Sequence, residues 1–394
     1  MSNRTLAVAS LSLSMLMPSL DTSITTAALP VLAPAFHASF QDVRWIVLTS
    51  LLATTTLIVG AGRLGDILGR RRLMLTGIAV FTVASLLSSL APTLAVLLVA
   101  RAAQGLGAAV MMALAVAFVA ETVPKARAGR VMGLLGTMSA IGTTCGPSVG
   151  GLLIAGVGWR AIFLVNVLLG VVTLVLAFRH LPAPVIAERA PVIRLGLLRD
   201  STLRAGLAMS SLVSTVMMAT LVVGPFYLSR ALGLAAAAVG FALSVGPSVS
   251  ALTGVPAGHF VDRLGARPMI LTGLTGIASG AFVVSLLPAS VGVLGYLAPL
   301  VVMTAGHAVF QAANNTRLMT GVDSDRRGTV GGLLGLSRNL GLILGASAMG
   351  AVFAFGAASP DITTAAPAAV AAGMRFTFGI AAMLMVGALA IATR

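Results

Sequence analysis

The chain has 394 residues, 58% hydrophobic and only 9% charged, with a mean hydropathy of +1.05 and a formal net charge of +15. Soluble domains carry roughly 25% charged residues, so this composition excludes an ordinary water-soluble fold and makes a bilayer the solvent. The single cysteine, Cys145, excludes an intramolecular disulfide framework and a cysteine-based metal cluster, and the positive charge fits the basic bias of cytoplasmic loops better than a nucleic-acid surface.

A spanning helix needs about 20 mainly apolar residues. Twelve segments meet that need in chain order: 6–33, 45–62, 73–91, 93–119, 131–155, 160–178, 205–229, 237–258, 269–288, 293–316, 328–355 and 375–393. The first follows a lone Arg4 and runs to about Ala33. A cleaved signal has an apolar core of about 7–15 residues, so this segment reads as a retained first helix. Pro18, Pro147, Pro225 and Pro247 fall inside spans, where neighbouring helices re-satisfy freed backbone groups. The longest polar connection, Arg179 to Arg204, holds three prolines and divides the chain near its middle. The expected domains are an N-terminal bundle over 1–180, a linker over 181–204 and a C-terminal bundle over 205–394.

Of the 25 basic residues, Arg44, Arg160, Arg230 and Arg375 alone fall in one set of loops, and Arg101 and Arg338 fall within spans. The others lie on the opposite side. By the positive-inside rule that side is cytoplasmic and holds both termini.

An internal repeat sharpens this plan. "GAGRLGDILGRRRLMLTG" (Gly60–Gly77) and "PAGHFVDRLGARPMILTG" (Pro256–Gly273) lie 196 positions apart and agree at nine of eighteen positions without a gap. Each copy follows the second span of its half. Two six-helix halves in a parallel repeat, with the substrate site at the midplane, are a transporter plan. A channel or membrane enzyme has no need of that symmetry. The fold class is therefore an all-α membrane protein of twelve transmembrane helices in two six-helix bundles.

At these residues the chain resembles the major facilitator superfamily. Its loop motif G-x-x-x-D-[RK]-x-G-x-[RK]-[RK] reads here as Gly62, Asp66, Gly69, Arg71 and Arg72, with Ile67 in place of the basic residue after the acid. The second copy reads Gly258, Asp262, Arg263, Gly265 and Arg267. Further segments resemble that superfamily's drug:proton antiporters: "LDTSITTAALP" (Leu20–Pro30), "RAAQGLGAA" (Arg101–Ala109), "GTTCGPSVGG" (Gly142–Gly151), "GWRAIFLVN" (Gly158–Asn166) and "SRNLG" (Ser337–Gly341). The first-helix segment is like that of the fourteen-helix branch, whereas this chain supplies twelve spans. The resemblance implies a cytoplasmic latch built from Asp66, Arg70 and Glu121, with Asp262, Arg263, Gly265 and Arg267 as its second copy. An aspartate at a helix end also suits the positive N-terminus of another helix, here the one beginning near Gly328. The fifth-helix motif, Gly142, Gly146, Pro147, Gly150 and Gly151, implies antiport. Its glycines share a helix face, which predicts close packing against a helix of the C-terminal half. Cys145 is then a small packing residue.

Charges within a membrane are expensive and functional by default. Asp21 is the one carboxylate deep in a span. Arg101 lies at a depth that an arginine side chain can bridge to reach it, so the two are expected to interact. Burial favours the neutral acid and a nearby cation favours the carboxylate, so such an Asp can change protonation as a site opens to alternate sides. A permanent structural ion pair is the competing reading. Thr22, Thr25 and Gln104 neighbour the pair as expected cavity residues, Thr25 by i, i+4 spacing from Asp21. His307, Gln311, Asn314 and Asn315 form the polar stripe of the C-terminal half. That stripe reads as cavity lining with Arg338, or else as interhelical hydrogen bonding. His307 is a second proton-site candidate.

The 18 methionines raise copper transport, but Met also fills irregular apolar space, and no metal or other cofactor is expected. The chain lacks an H-E-x-x-H site and the G-x-x-x-x-G-K-[ST] loop of ATP-driven machines, so no enzyme is expected. The expected activity is proton-coupled export of small, drug-like organic compounds from a bacterium across its inner (plasma) membrane. The runner-up is transport of an organic anion or small metabolite, as importer or uniporter. Aromatics make up only 5% of the chain, which disfavours a cage for lipophilic cations. Protons, the substrate and membrane lipids are the expected partners, and a monomer is expected because one chain holds both halves.

Overall fold

The computed structural model describes residues 3–122, 125–181, 200–320, 327–359 and 361–393. The side chains of 3–4, 59, 63, 66, 120–122, 125–130, 132–133, 255 and 327–329 lie outside that description. Among the described residues the chain is helical, without a strand. Long apolar runs in lipid have no other way to pair their backbone groups internally, short of a closed barrel.

The N-terminal helices are α1 (Asn3–Ala35), the short α2 (Phe40–Val43), α3 (Trp45–Leu68), α4 (Arg70–Leu90), α5 (Leu94–Thr122), α6 (Lys125–Gly156) and α7 (Ala161–His180). Then follow α8 (Ser201–Phe226), α9 (Ala236–Leu264), α10 (Ala266–Leu286), α11 (Gly292–Thr320), α12 (Arg327–Leu344), α13 (Gly350–Gly356) and α14 (Pro367–Thr393). A π-helical turn over Tyr227–Ala231 extends α8, and another over Gly345–Met349 joins α12 to α13. Ten helical segments among the described residues are long and apolar enough to cross a membrane. Helices α1 and α3, of 33 and 24 residues, are long as well but are not among those ten.

Several boundaries differ from the sequence reading: α3 runs on to Leu68 and α9 to Leu264, past the expected ends at 62 and 258, and the last helix and α8 begin early. The last helix begins at Pro367, so Arg375 lies inside it rather than in a loop. Proline fits the first helical position, and the alanines behind it carry the helix on. Helix α8 begins at Ser201 because the Asp200 carboxylate accepts the Thr202 amide at 2.8 Å, an N-cap. Arg204 is therefore helical, and 182–199, most of the expected linker, lies outside the described residues.

The chain divides into two compact units, one of residues 1–38 and 45–191 and one of residues 39–44 and 192–394. In the first, α1 packs on α5, α6 and α7, while α4 packs on α5 and α7 and α3 on α5. Its core includes Met74, Ile78, Phe81, Met111 and Phe118. In the second, α8 packs on α12, α11 on α9 and α10, and α14 on α10.

The same packing devices recur in both units. Gly69 and Gly265, equivalent in the repeat, both take φ +87°, a left-handed conformation that suits glycine. They turn α3 into α4 and α9 into α10. Gly77 on α4 and Gly107 on α5 leave room for close approach, a Cβ at Gly107 standing 2.7 Å from the Gly77 carbonyl. Gly273 and Gly306 do the same between α10 and α11, also at 2.7 Å.

The glycines of the fifth-helix motif pack within their own unit. A Cβ at Gly142 would stand 2.6 Å from the Leu16 carbonyl of α1, and one at Gly150 would stand 3.1 Å from Ile24. This corrects the expectation of a partner in the C-terminal half. The spacing identified a small-residue face but carried no information on which apolar helix would meet it. Ser23 of α1 donates to the Gly142 carbonyl at 3.2 Å, and Thr215 of α8 donates to the Gly341 carbonyl of α12 at 3.1 Å. Gly341, from the "SRNLG" segment, thus plays in one unit the part that Gly142 plays in the other. Cys145, off this face, is exposed rather than packed.

Candidate functional site

The first unit holds a buried polar network around Asp21. Arg101 Nη1 lies 2.6 Å from Asp21 Oδ2, with side-chain exposures of 0% and 3%. The same nitrogen donates to Gln104 Oε1 at 2.6 Å, and Arg101 Nε donates to the Ile46 carbonyl at 3.1 Å. Asp21 Oδ1 accepts from Gln104 Nε2 and Asn166 Nδ2, both at 2.8 Å. Gln104 Nε2 also donates to Ser85 Oγ at 2.9 Å. The Arg101 guanidinium stands 5.9 Å from the Phe163 ring centroid, within cation–π range.

Local sequence explains how five helices deliver these groups. In "RAAQGLGAA", Arg101 and Gln104 are three apart and share a helix face. Gly105 brings the α3 backbone close, its absent Cβ leaving room for the Ser50 carbonyl, and Thr54 donates to the Gly105 carbonyl at 3.0 Å. That approach supplies the Ile46 carbonyl. Gly107 brings in α4, and with it Ser85. On α7, Phe163 and Asn166 are likewise three apart, and Gly170 lets Thr82 of α4 approach. Contacts of α1 with the α6 glycines Gly142, Gly146 and Gly150 hold the segment bearing Asp21 against α6.

Such a network is costly unless complete. It is nearly complete, but Arg101 Nη2, Asn166 Oδ1 and Thr25 Oγ1 are buried without a hydrogen-bond partner. Thr22 donates to the Pro18 carbonyl at 2.9 Å along its own helix and does not touch the carboxylate.

Among the described residues the network occurs in one unit alone. Counting back from Gly306 as Arg101 and Gln104 stand before Gly107, the second unit has Leu300 and Met303. Counting from Thr215 as Asp21 stands before Ser23, it has Val213. All three are buried. The repeat keeps the packing glycines and drops the charges.

The C-terminal polar stripe is not one environment. Asn314 is buried at 1% exposure and donates to the Gly206 carbonyl of α8 at 3.2 Å. It therefore ties helices together, and the cavity reading of Asn314 gives way to the interhelical one. Asn315 is exposed, and His307 and Gln311 are half-buried. Arg338 on α12 is exposed and within electrostatic range of His307.

In the loop motif, Arg71 donates to the Phe178 carbonyl in the last turn of α7 and lies over that residue's ring. Its repeat partner Arg267 donates to the Thr393 carbonyl at the end of α14, at 3.0 Å. Each arginine thus caps the last helix of its own half, where carbonyls are unpaired and the dipole favours a cation. The Asp66 and Glu121 side chains lie outside the described residues. Arg70 is half-buried, its Cγ 3.3 Å from where a Gly65 Cβ would stand, and Asp262 and Arg263 are exposed. Gly62 has open space beside it.

Sequence reasoning missed Asn166 and Ser85, although Asn166 ends the quoted "GWRAIFLVN". It also missed the segment 39–44, which belongs to the second unit. Phe40 is buried edge-on against Phe226 and Phe353, with centroids 4.8 and 5.4 Å away. Its amide donates to Asp361 Oδ1 at 3.1 Å. Burial pushes the Asp361 carboxyl up, but hydrogen bonds from Thr363 and Phe40 and the charge of Arg230 outweigh it and hold the group below its ordinary value. Arg44, expected in a loop, is buried and donates to the Ser347 carbonyl at 2.9 Å in the π-turn of α12–α13. Burial lowers its pKa from the ordinary arginine value. A π-turn leaves carbonyls without their usual partners, which explains an arginine there.

The family model described as Major Facilitator Superfamily matches residues 11–346. The chain belongs to that superfamily. Major facilitators are transporters rather than enzymes. The letters G-P-S-V-G at 146–150 fit a nucleophile-elbow pattern, but they lie inside the continuous helix α6, not on a strand-to-helix turn. Among its relatives is the riboflavin transporter RibZ of Clostridioides difficile, 25% identical over 86% of this chain and 86% of that one. The multidrug resistance protein Stp of Mycobacterium tuberculosis is 28% identical over 89% of this chain and 76% of its own length. The solved structure of a bacterial homolog of the human lysosomal transporter Spinster, inward-facing and occupied, has a TM-score of 0.84 at 16% identity. That match covers 100% of this chain and 97% of the other and shows the shared fold.

Proposed function

We propose that this major facilitator is a proton-coupled efflux antiporter exporting small organic compounds by alternating access. It would do so with twelve spans, both termini in the cytoplasm and the bacterial inner membrane as its place. The observation that carries the proposal is a carboxylate, Asp21, buried among the described residues and held by the buried guanidinium of Arg101 at 2.6 Å. Removing the negative charge from Asp21 weakens its hold on Arg101, so proton binding and helix arrangement are linked. The proton gradient, together with about 2.3 kcal/mol per charge per 100 mV of membrane potential, supplies the driving force. Export is supported by relatives named for it: Stp, the drug efflux pump JefA of Mycobacterium tuberculosis, and the tetracenomycin C resistance and export protein of Streptomyces glaucescens. A cytoplasmic latch of Asp66, Arg70 and Glu121 belongs to the same proposal.

A second reading is transport of an organic anion or small metabolite. Exposed Arg338 near His307 favours it, as does the relative named for riboflavin. Proteoliposomes with an imposed pH gradient separate the two. The antiport reading expects uphill substrate movement that a protonophore abolishes. Substrate equilibration unaffected by the gradient or the protonophore would contradict it and leave a uniporter.

A further inference from the structure

The atoms of the Asp21 cage that lack partners point to a function for Asn166. Gln104 is fixed in one orientation, because its Oε1 accepts from Arg101 and its Nε2 donates to both Asp21 and Ser85. Turning that amide over would break three bonds. Asn166 is different: its Nδ2 donates to Asp21 Oδ1 at 2.8 Å, while its Oδ1 is buried without a partner. An amide offers a donor at one end and an acceptor at the other. A carboxylate only accepts, whereas a carboxylic acid must also donate.

We infer that Asn166 is a positioning residue whose amide turns over when Asp21 takes up a proton, donating to the carboxylate and accepting from the acid. The inference rests on the antiport reading above. In the step, a proton from the water-accessible side forms an O–H bond at Asp21 Oδ1. The Asn166 N–H···O bond breaks, the amide rotates, and the new O–H donates to Asn166 Oδ1. Gln104 still donates to the second lone pair of Asp21 Oδ1, and Arg101 still meets Oδ2. One amide atom of Asn166 is unpartnered before the turn and one after it, so the turn is nearly balanced in hydrogen bonds. Asn166, itself fully buried, thus keeps both protonation states satisfied inside the buried site.

Arg101 is the charged group facing Asp21 among the described residues. Helix α6 adds Cys145, which is exposed, and its terminal Lys125, Arg127 and Arg130, whose side chains lie outside the description. Helix α7 adds Arg179 and His180 at its far end. Thr25, one turn along α1 from Asp21, also has a buried hydroxyl oxygen without a partner and is the rival to be tested.

The test is difference infrared spectroscopy of the reconstituted full chain across a pH jump, with substrate-evoked proton movement measured in parallel. Wild type is expected to show a protonated-carboxyl band that vanishes in Asp21→Asn. In Asn166→Leu that band is expected to shift to the frequency of a non-donating acid, with proton movement down roughly tenfold, as expected for losing one hydrogen bond to a charged group. In Asn166→Thr, whose hydroxyl both donates and accepts, band and flux are expected to return toward wild type. An Asp21 band that stays unmoved in Asn166→Leu, or that moves in Thr25→Val instead, would overturn the inference and leave the antiport reading standing. Absence of any Asp21-dependent band in wild type would overturn both.

Discussion

Replacing Arg101 with alanine is expected to lower stability by about 3–5 kcal/mol, the cost of removing one member of a buried ion pair, and to stop transport. Arg101 is fully buried and makes the 2.6 Å contact to Asp21, so its loss strands a carboxylate without its counter-charge. It also frees Gln104 Oε1 and the Ile46 carbonyl. Removing both charges should hurt less than removing one, because the uncompensated charge carries most of the penalty. The double variant Asp21→Asn with Arg101→Gln is therefore expected to unfold at a higher temperature than Arg101→Ala while remaining inactive. Thermal unfolding in detergent checks both statements. A single variant as stable as wild type would mean that water reaches the pair, against the burial described.

The second large effect is expected at Gly142. A valine there would drive its Cβ to within 2.6 Å of the Leu16 carbonyl oxygen and 2.9 Å of the Leu20 amide nitrogen. Both obstacles are backbone, so no side-chain rotation relieves them. Overpacking of this kind costs about 1–3 kcal/mol and sometimes more. The displaced helix is α1, whose next residue after Leu20 is Asp21, and misplacement by about 1 Å at a reacting centre is worth about 10²-fold in rate. Transport by Gly142→Val is therefore expected to fall about 10²-fold. Cys145→Ala, on the exposed side of the same helix, should stay within about 0.5 kcal/mol of wild type. Parallel transport assays and melting curves decide it, and equal behaviour of the two variants would contradict the packing account.

The parts legible in the sequence were those set by local chemistry. Apolar length marked the long helices. The repeat marked the equivalent turns at Gly69 and Gly265, where positive φ leaves little choice but glycine. Asp21 and Arg101 stood out because charges are rare in such surroundings. What the sequence hid was partnership. Asn166 looks like any polar residue near a helix start until α7 is placed against α1. The glycine face of α6 did not say that α1 would meet it. The letters around Arg71 and Arg267 did not say that each would cap the final helix of its own half. Arg44 read as a loop charge because the π-turn that needs it lies some 300 residues away in the chain, at Ser347.

The central claim is that Asp21 carries the coupled proton. The most direct measurement is substrate-evoked proton movement in proteoliposomes containing an internal pH dye, comparing wild type with Asp21→Asn. The asparagine keeps the side chain's shape and its place beside Arg101 but cannot exchange a proton. The account predicts proton movement with substrate in wild type, none in Asp21→Asn, and continued substrate binding by both. Proton movement undiminished in Asp21→Asn would contradict it, and the Asp21–Arg101 pair would then be a structural tie within the first unit.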